Sequence, residues 1–506
     1  MKREKIKLLD CLYFLLCGAA ILFFCSRSSL FYPYNDWNDA NSYFSVGKAI
    51  MNGKMPYRDV FDQKGMLLYF LYGLSYLISH TTFFGVYLLE VVLAALDLAA
   101  IYKILRFFLR KETAILLSPL CLACIFGSYS FYWGGSAEEI CLPLLFWGLF
   151  LGMQYFYAPR EDNAFRKELL IAGILAGGVA NIKFTGLGFF FGWMAVIGIA
   201  QWVRHGFLRA VKSCLWFLLG MAIPFVPWLI YFGITGGLYE WYWGYVYVNV
   251  FMYSNLDSEG PSAFERIYTL SKTLYWVALD NIPYFLFVIP GFFASVIGKK
   301  RKGRMLIPTM AFFTFFGIYV GGSVLPYYAL PLGVFAVWGF ILVGEMLEKL
   351  FSNLLEKVTL PQQYFVCLTG FVGVLFATLL CFASSMNVPY HKVSREDHFL
   401  TAFQEIVCKK ENPTLLNIGC LDAGLYTVCD VVPSCRWFQS QTINTDMVSK
   451  EQERYIEEEQ IDFVLARDWI PEVLTEHYEL ALSYDFVQTG RRGEEFPFTY
   501  YLYQRK

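Results

Sequence analysis

The sequence predicts an α-helical polytopic membrane protein of about eleven transmembrane helices, followed by a small extracytoplasmic α/β domain. Three observations predict it. The 506 residues are 57% hydrophobic and only 16% charged, with a mean hydropathy of +0.44, too little charge to build a soluble surface. Apolar runs of roughly 20 residues, the length that crosses a bilayer, recur as far as residue 385. Beyond residue 388 the character changes to short β-rich stretches separated by charged segments.

The runs fall near 8–26, 83–105, 112–130, 139–157, 168–182, 184–202, 213–234, 269–297, 305–321, 326–346 and 362–385. The first follows MKREKIK as a signal peptide would, but no small-x-small cleavage site follows it, so it reads as a retained first span. With the N-terminus cytoplasmic, the inner loops are KREKIK, KILRFFLRK, APREDNAFRK, RHGFLRAVK, KKRKGR and EKLFSNLLEK, all bearing Lys or Arg. The outer loops at 128–138 and 322–325 bear none, and the loop at 235–268 bears only Arg266. This is the positive-inside bias of a multi-pass protein of the cell membrane. Counting 66–80 as a further span would reverse every later loop, and it is short for a crossing. It reads instead as a helix at or dipping into the outer interface.

The chain divides into a transmembrane region, 1–387, with a first outer loop at 27–82, and an extracytoplasmic domain, 388–506. Within the latter, TLLNIG (414–419), DFVLAR (462–467), LALSYDFV (480–487) and FTYYLYQR (498–505) read as strands, and KEQERYIEEEQ (450–460) as a charged helix. Of thirteen cysteines, only Cys408, Cys420, Cys429 and Cys435 lie in a polar region, and their spacing fixes no disulfide. A net charge of −1, with no basic run interleaved with aromatics, argues against a nucleic-acid partner.

Chemistry concentrates in DWNDANSYFSVGKAIMNGKMPYRDVFDQKGM (36–66). Asp36, Asp39, Asp59 and Asp62 stand there with Lys48, Lys54, Arg58 and Lys64, between long apolar runs. Asp39 has two readings: a helix cap for NSYFSVGKAIMNG, or a base that takes a proton from an acceptor hydroxyl. Asp36 and Asp39 in an Asp-x-x-Asp arrangement could hold a divalent ion; pairs this simple arise often by chance, and no metal site is assigned.

The pattern Asp39-x-x-x-Tyr43, KAIMNGKMPYRD (48–59) and FDQKGMLLYF (61–70) resembles the first outer loop of the GT-C class of membrane glycosyltransferases. Within it, the resemblance is to the protein O-mannosyltransferase and aminoarabinose transferase-like group (glycosyltransferase family 39). Two departures stand out: the acid that usually follows the first Asp is Ala40, and Lys-Pro-Pro is Lys64-Gly65-Met66. Asp36 or Asp62 are candidates for the missing carboxylate. The resemblance implies Asp39 as catalytic base and Lys64 as a contact to the donor phosphate, against the alternative of a snorkelling lysine. It implies a phosphate contact for Lys183 in AGGVANIKFTGLG too, against a structural ion pair with a loop carboxylate. Glu138 and Glu139 stand where the group often carries an acid, and where any helix N-terminus favours one. Tyr327 in PYYALP (326–331) takes the place of a usual histidine, with Tyr328 beside it. Tyr57, Arg58, Asp59 and Asp62 either shape a sugar pocket or pair with one another. The aromatic loop 236–255 lids the site, guides a polyprenyl chain or forms an interfacial belt.

The activity implied is transfer of a sugar from a polyprenyl-phosphate carrier to an extracytoplasmic acceptor, whether wall polymer, lipid or protein, with inversion at the sugar. The partners implied are the isoprenoid-linked donor, the membrane lipids and that acceptor. Glu90 and Asp97 favour the alternative, a lipid-linked sugar flippase or other transporter. They share one face of a single span, where acids mark ion or substrate paths, although Asp97 lies near enough to the inner end for Lys103 to satisfy it.

Overall fold

The computed structural model describes residues 7–158, 165–252, 263–297, 303–352, 361–443, 445–489 and 495–506. Most of the KKRKGR run, part of the 235–268 loop and most of APREDNAFRK lie outside them. Each predicted span corresponds to helix, beginning with α1 (Leu8–Cys25) and running to Gln362–Ser384. Among the described residues, seven helices are long and apolar enough to cross a membrane, or eight if a bent pair counts as one. The helices at three other predicted spans, Lys111–Phe126, Arg166–Ala180 and Leu306–Tyr319, are shorter. The protein is a multi-span membrane protein. Apolar faces left uncovered by protein, such as Leu215, Leu218 and Leu219 or Phe371, Leu375 and Leu379, belong to lipid.

One expected span is not a single helix. Residues 269–297 divide into Ala263–Asp280 and Ile282–Ile297, bent by 119°. The break has a local cause. Pro283 has no N–H for the helical ladder and its ring excludes a preceding turn. Asn281 folds its amide back to the Val277 carbonyl at 2.9 Å and accepts from the Ser130 N–H at 2.8 Å.

Between α1 and α4 (Phe84–Leu105) the first loop folds into two short helices, α2 (Asn38–Met51) and α3 (Met66–Ile78). They pack on each other where Gly47 meets Gly73; a β-carbon at Gly47 would strike the α3 backbone, and one at Gly73 would strike the Met51 side chain of α2. α3 is thirteen residues long, in keeping with a helix that does not cross.

The C-terminal region holds a four-stranded sheet of β1 (Leu415–Ile418), β2 (Phe463–Ala466), β3 (Tyr478–Thr489) and β4 (Glu495–Arg505), in the order β1-β2-β4-β3. β1 and β2 are parallel, with Leu415 opposite Phe463, and β4 runs antiparallel to both its neighbours. Thr445–Glu457 supplies the helix between β1 and β2. All four cysteines of this region are free.

α2 joins the two halves. Asn41, Ser42, Ser45 and Lys48 lie at helical spacing on one face and are all buried. Asn41 accepts from Thr427, Ser42 donates to Gln439 at 2.7 Å, and Ser45 donates to Asp422 at 2.5 Å. Lys48 donates to the Tyr426 carbonyl at 2.9 Å and pairs with Asp430 at 3.0 Å.

Burial pushes the Asp422 carboxyl up to about 6, against the lowering effect of Ser45, the Gly424 N–H and Lys48. A carboxyl raised on folding binds its proton more tightly folded than unfolded, so its stabilising contribution is full below the unfolded value and fades as pH rises through about 6. Asp422→Asn is therefore expected to be more stable than wild type at pH 7, by on the order of 3 kcal/mol. The difference should shrink toward pH 4. Thermal unfolding of both proteins in detergent across pH 4–7 checks this.

Candidate active site

A cleft of about 400 Å³ lies between the membrane half and the C-terminal sheet, a volume typical of small-molecule sites. Its membrane-side wall is built from four segments: Asp36–Tyr43, Asp62–Lys64, Tyr132–Trp133 and Leu325–Tyr328. Of the residues expected from the sequence, Asp39, Tyr43, Asp62, Lys64, Tyr327 and Tyr328 line it together.

Asp39 occupies the first turn of α2, where the helix dipole favours a carboxylate. It is not the cap: Trp37 holds that position, and no side chain caps the helix. The Tyr327 hydroxyl donates to Asp39 Oδ2 at 2.7 Å, and the Tyr43 hydroxyl approaches the same oxygen at 3.4 Å. Tyr327 is only 8% exposed, so it is a partner of the acid rather than an interfacial anchor.

Asp62 accepts from the Tyr69 hydroxyl at 2.8 Å, and Tyr69 accepts from the Lys64 N–H at 2.7 Å. Burial pushes the Asp62 carboxyl up, and Lys64 opposes that shift. Tyr57, buried with φ of 67°, donates to the Lys64 carbonyl at 2.7 Å. It shapes the Lys64 turn without lining the cleft. Lys64 Nζ sits 6.0 Å from the centroid of the Tyr43 ring.

Gly65 explains the departure from Lys-Pro-Pro. Its N–H donates to the Ile182 carbonyl at 3.1 Å, and the Leu67 N–H donates to the Asn181 carbonyl at 3.1 Å. A β-carbon at Gly65 would overlap that Asn181 carbonyl. Lys64 and Lys183 are thus tied to one seam by a contact only glycine can make.

Lys183 pairs with Glu138 and lies 3.7 Å from the Tyr328 ring centroid and 5.5 Å from that of Tyr327. The ion pair places it beside the tyrosines of the cleft. Glu139 turns away from the cleft. It accepts from the Gly135 N–H at 2.7 Å, while its own N–H donates to the Ser136 cap at 3.0 Å. Arg58 and Asp59 pair with each other at 2.8 Å on the surface, away from the cleft, and the Arg58 contact holds the Asp59 carboxyl low.

Asp36 is no twin of Asp39. Its Oδ1 accepts from Arg27 at 2.7 Å and its Oδ2 from Tyr390 at 3.1 Å. Burial would raise its carboxyl, but Arg27 and His398 hold it at about 2. The two acids of the Asp-x-x-Asp pair thus serve different partners. The 236–252 part of the aromatic loop packs on the first loop. Asn249 donates to the Gln63 carbonyl at 2.7 Å, and Trp243 meets Phe61 with ring centroids 5.6 Å apart. Tyr239 and Tyr242 face outward, whereas Tyr245 is buried and stacks on Phe184 with ring centroids 4.5 Å apart.

Within its span, Glu90 accepts from the single O–H of Ser26, whose oxygen lies 2.9 and 2.7 Å from the two carboxylate oxygens. Asp97 is buried and neither oxygen has a hydrogen-bond partner among the described residues. Lys103 does not reach it as expected; its ammonium lies 5.8 Å from the Phe150 ring centroid.

The opposite wall escaped the sequence reading. Leu421, Gln441, Thr442, Arg467, Phe498 and Tyr500 come from the C-terminal sheet and its loops. One signal was available: Arg467 ends the second of two predicted strands flanking a helix, the position where parallel strands present ligand-binding residues. A second cavity of about 400 Å³ lies between the 27–35 segment, the 81–84 turn and the C-terminal region, and includes none of the expected site residues.

This architecture matches known structures. Over 96% of the chain it superposes on 97% of ArnT from Cupriavidus metallidurans bound to undecaprenyl phosphate, with a TM-score of 0.60 and 11% identity. The same enzyme in the apo state gives a TM-score of 0.60 at 13% identity, with the same coverage. The chain carries a GT-C fold. The archaeal oligosaccharyltransferase AglB from Archaeoglobus fulgidus, in complex with an inhibitory peptide and a dolichol-phosphate, matches 97% of the chain. That match covers 74% of AglB, with a TM-score of 0.52 and 12% identity. No protein-family model matches the sequence, and no curated protein does. The GT-C scaffold here is carried by a sequence that keeps few residues in common with those structures.

The Gly65 seam gives a test of the site's construction. Gly65→Pro, which makes the motif more like Lys-Pro-Pro, removes the N–H bonded to Ile182 and adds bulk against Asn181. It is expected to destabilise by about 1–3 kcal/mol, measured as a lowered unfolding midpoint in detergent.

Proposed function

We propose that the protein transfers a sugar from a polyprenyl-phosphate carrier to a hydroxyl of an extracytoplasmic acceptor, with Asp39 as base and inversion at the anomeric carbon. The observation that carries this reading is Asp39 itself. Its Oδ2 is engaged by Tyr327, Oδ1 has no hydrogen bond among the described residues, and the residue lines the same cleft as Lys64. The GT-C neighbours, one bound to undecaprenyl phosphate and one to a dolichol-phosphate, support the donor class.

In this reading the acceptor O–H gives its proton to Asp39 Oδ1 as its oxygen bonds to the anomeric carbon. The carbon–oxygen bond to phosphate breaks on the opposite face, and the electron pair leaves with polyprenyl phosphate. A phosphate needs no proton to leave, so a single base suffices, unlike the carboxylate pair of a glycosidase. Lys64 stabilises the charge that builds on the departing phosphate. Tyr327 fixes the carboxylate's orientation, and the Lys183–Glu138 pair holds Tyr328 and Tyr327 in place. The cationic loops put the N-terminus in the cytoplasm and this cleft, with the C-terminal domain, outside.

The test is release of polyprenyl phosphate by protein in liposomes supplied with synthetic polyprenyl-phosphate sugars and a mixture of acceptors. Asp39→Asn is expected to lose about 10²–10⁴-fold in rate, and Tyr327→Phe about tenfold or less. Lys64→Met should raise the KM for donor. Glu90→Gln should retain measurable transfer. Folded wild type and Asp39→Asn that are equally silent with several donors, alongside transport lost in Glu90→Gln, would replace this reading with the transporter.

A further inference from the structure

The wall contributed by the C-terminal sheet has a chemistry of its own. Leu421 follows β1 and Arg467 follows β2, so both stand at the carboxyl ends of the parallel pair, where such sheets bind ligands. Facing them, Phe486 and Phe498 pack with ring centroids 5.3 Å apart, and Tyr500 meets Phe498 edge-on at 5.4 Å. The Arg467 guanidinium lies 5.0 Å from the Phe498 centroid and 5.9 Å from that of Tyr500.

Asp468 holds the same guanidinium at 2.7 Å, yet Asp468 is 59% exposed whereas Arg467 is 21% exposed. The cation is therefore fixed in place by rings and by a carboxylate whose attraction water largely screens. That leaves a preorganised guanidinium beside aromatic faces, inside a cleft. Guanidinium groups bind carboxylate and phosphate through paired N–H bonds, and an aromatic face accommodates the apolar C–H face of a sugar ring.

We propose that this wall is the acceptor subsite and that the acceptor is an anionic saccharide, bearing a carboxylate or phosphate that Arg467 binds while a ring stacks on Phe498. The inference rests on the reading of Asp39 as base. Donor phosphate and acceptor anion then have separate cations, Lys64 on the membrane side and Arg467 on the sheet side. The acceptor hydroxyl loses its proton to Asp39 and gains the bond to the anomeric carbon, and polyprenyl phosphate leaves; the anion on Arg467 takes no part in bond exchange.

The test is isothermal titration of the full chain in detergent with four probes: tetragalacturonate, its full methyl ester, phosphorylated maltotetraose and a Ser/Thr peptide. Wild type and Asp39→Asn should both bind one anionic saccharide at least tenfold more tightly than the ester, and the better of the two identifies carboxylate or phosphate. Arg467→Gln should lose at least tenfold, whereas Asp468→Asn, which frees the guanidinium, should gain a few-fold. That gain keeps the test decisive if Arg467→Gln fails to fold. Equal binding of acid and ester, preference for the peptide, or unchanged affinity in both variants overturns the proposal. Because Asp39→Asn needs no turnover to bind, binding without any release of polyprenyl phosphate by wild type would sink the transfer reading alone. Release that is indifferent to Arg467 and to acceptor charge would sink the subsite alone.

Discussion

Lys48 has no exposed side-chain surface, and among the described residues its hydrogen bond and its ion pair both come from the C-terminal region, through the Tyr426 carbonyl and Asp430. A buried ammonium without partners is too costly to persist, so α2 and the C-terminal region require each other. Asn41, Ser42 and Ser45 extend the dependence along the helix, each satisfied by a residue almost four hundred positions away. The hydrophobic core is likewise unbroken from the membrane helices to the sheet. The consequence for the site is geometric. The same helix carries Asp39 in its first turn, so docking the sheet on one face of α2 fixes how far the sheet stands from that acid. A cleft with one wall from each half follows from this seam.

The residues that differ from the resembled motif are accommodated in this frame. Gly65, in place of proline, supplies an N–H to Ile182 and leaves room for Asn181, tightening the loop against the turn that bears Lys183. Tyr327, in place of histidine, donates its hydroxyl to Asp39. A phenol keeps its proton at neutral pH, so Tyr327 can orient the carboxylate but cannot itself serve as the proton acceptor. The missing second acid has a candidate in Asp62, which shares the cleft and whose carboxyl burial raises, whereas Asp36 is committed to Arg27.

Much of this was legible in the sequence because it is local. Hydropathy over about 20 residues finds the helices, alternation of β-branched and aromatic residues finds the four strands, and a cluster of charges between apolar runs finds the cleft's membrane-side wall. Pro283 was equally visible, but the apolar run continues on both sides of it, and hydropathy averages over a break that one backbone N–H decides. What remained hidden depends on contacts across the chain. Arg467 and Tyr500 join Asp39 only once α2 has docked. Lys183 reads as costly and unattached until Glu138 is brought beside it. Glu139 reads like Glu138 until the first turn of their helix sends the two side chains in different directions.

The acids within the spans separate the two functional classes by what holds them. A transport path needs carboxylates that exchange partners as a substrate passes. Glu90 is instead fastened by both oxygens to Ser26, just beyond the end of α1, and lies under the turn of Gly134 and Gly135, whose positive φ angles let the backbone pass close over it. Tyr72 of α3 reaches the Gly135 carbonyl and Glu139 reaches the Gly135 N–H, so the same turn ties α3 to the start of the helix that bears Glu138. Glu138 in turn holds Lys183 beside the cleft tyrosines. Glu90 thus belongs to the support of the cleft. Asp97, two turns further along the same helix and without a hydrogen bond among the described residues, has no comparable place in that support. An acid that supports a turn and an acid with no hydrogen bond among the described residues do not form a relay, and the carboxylate that lines the open cleft is that of Asp39.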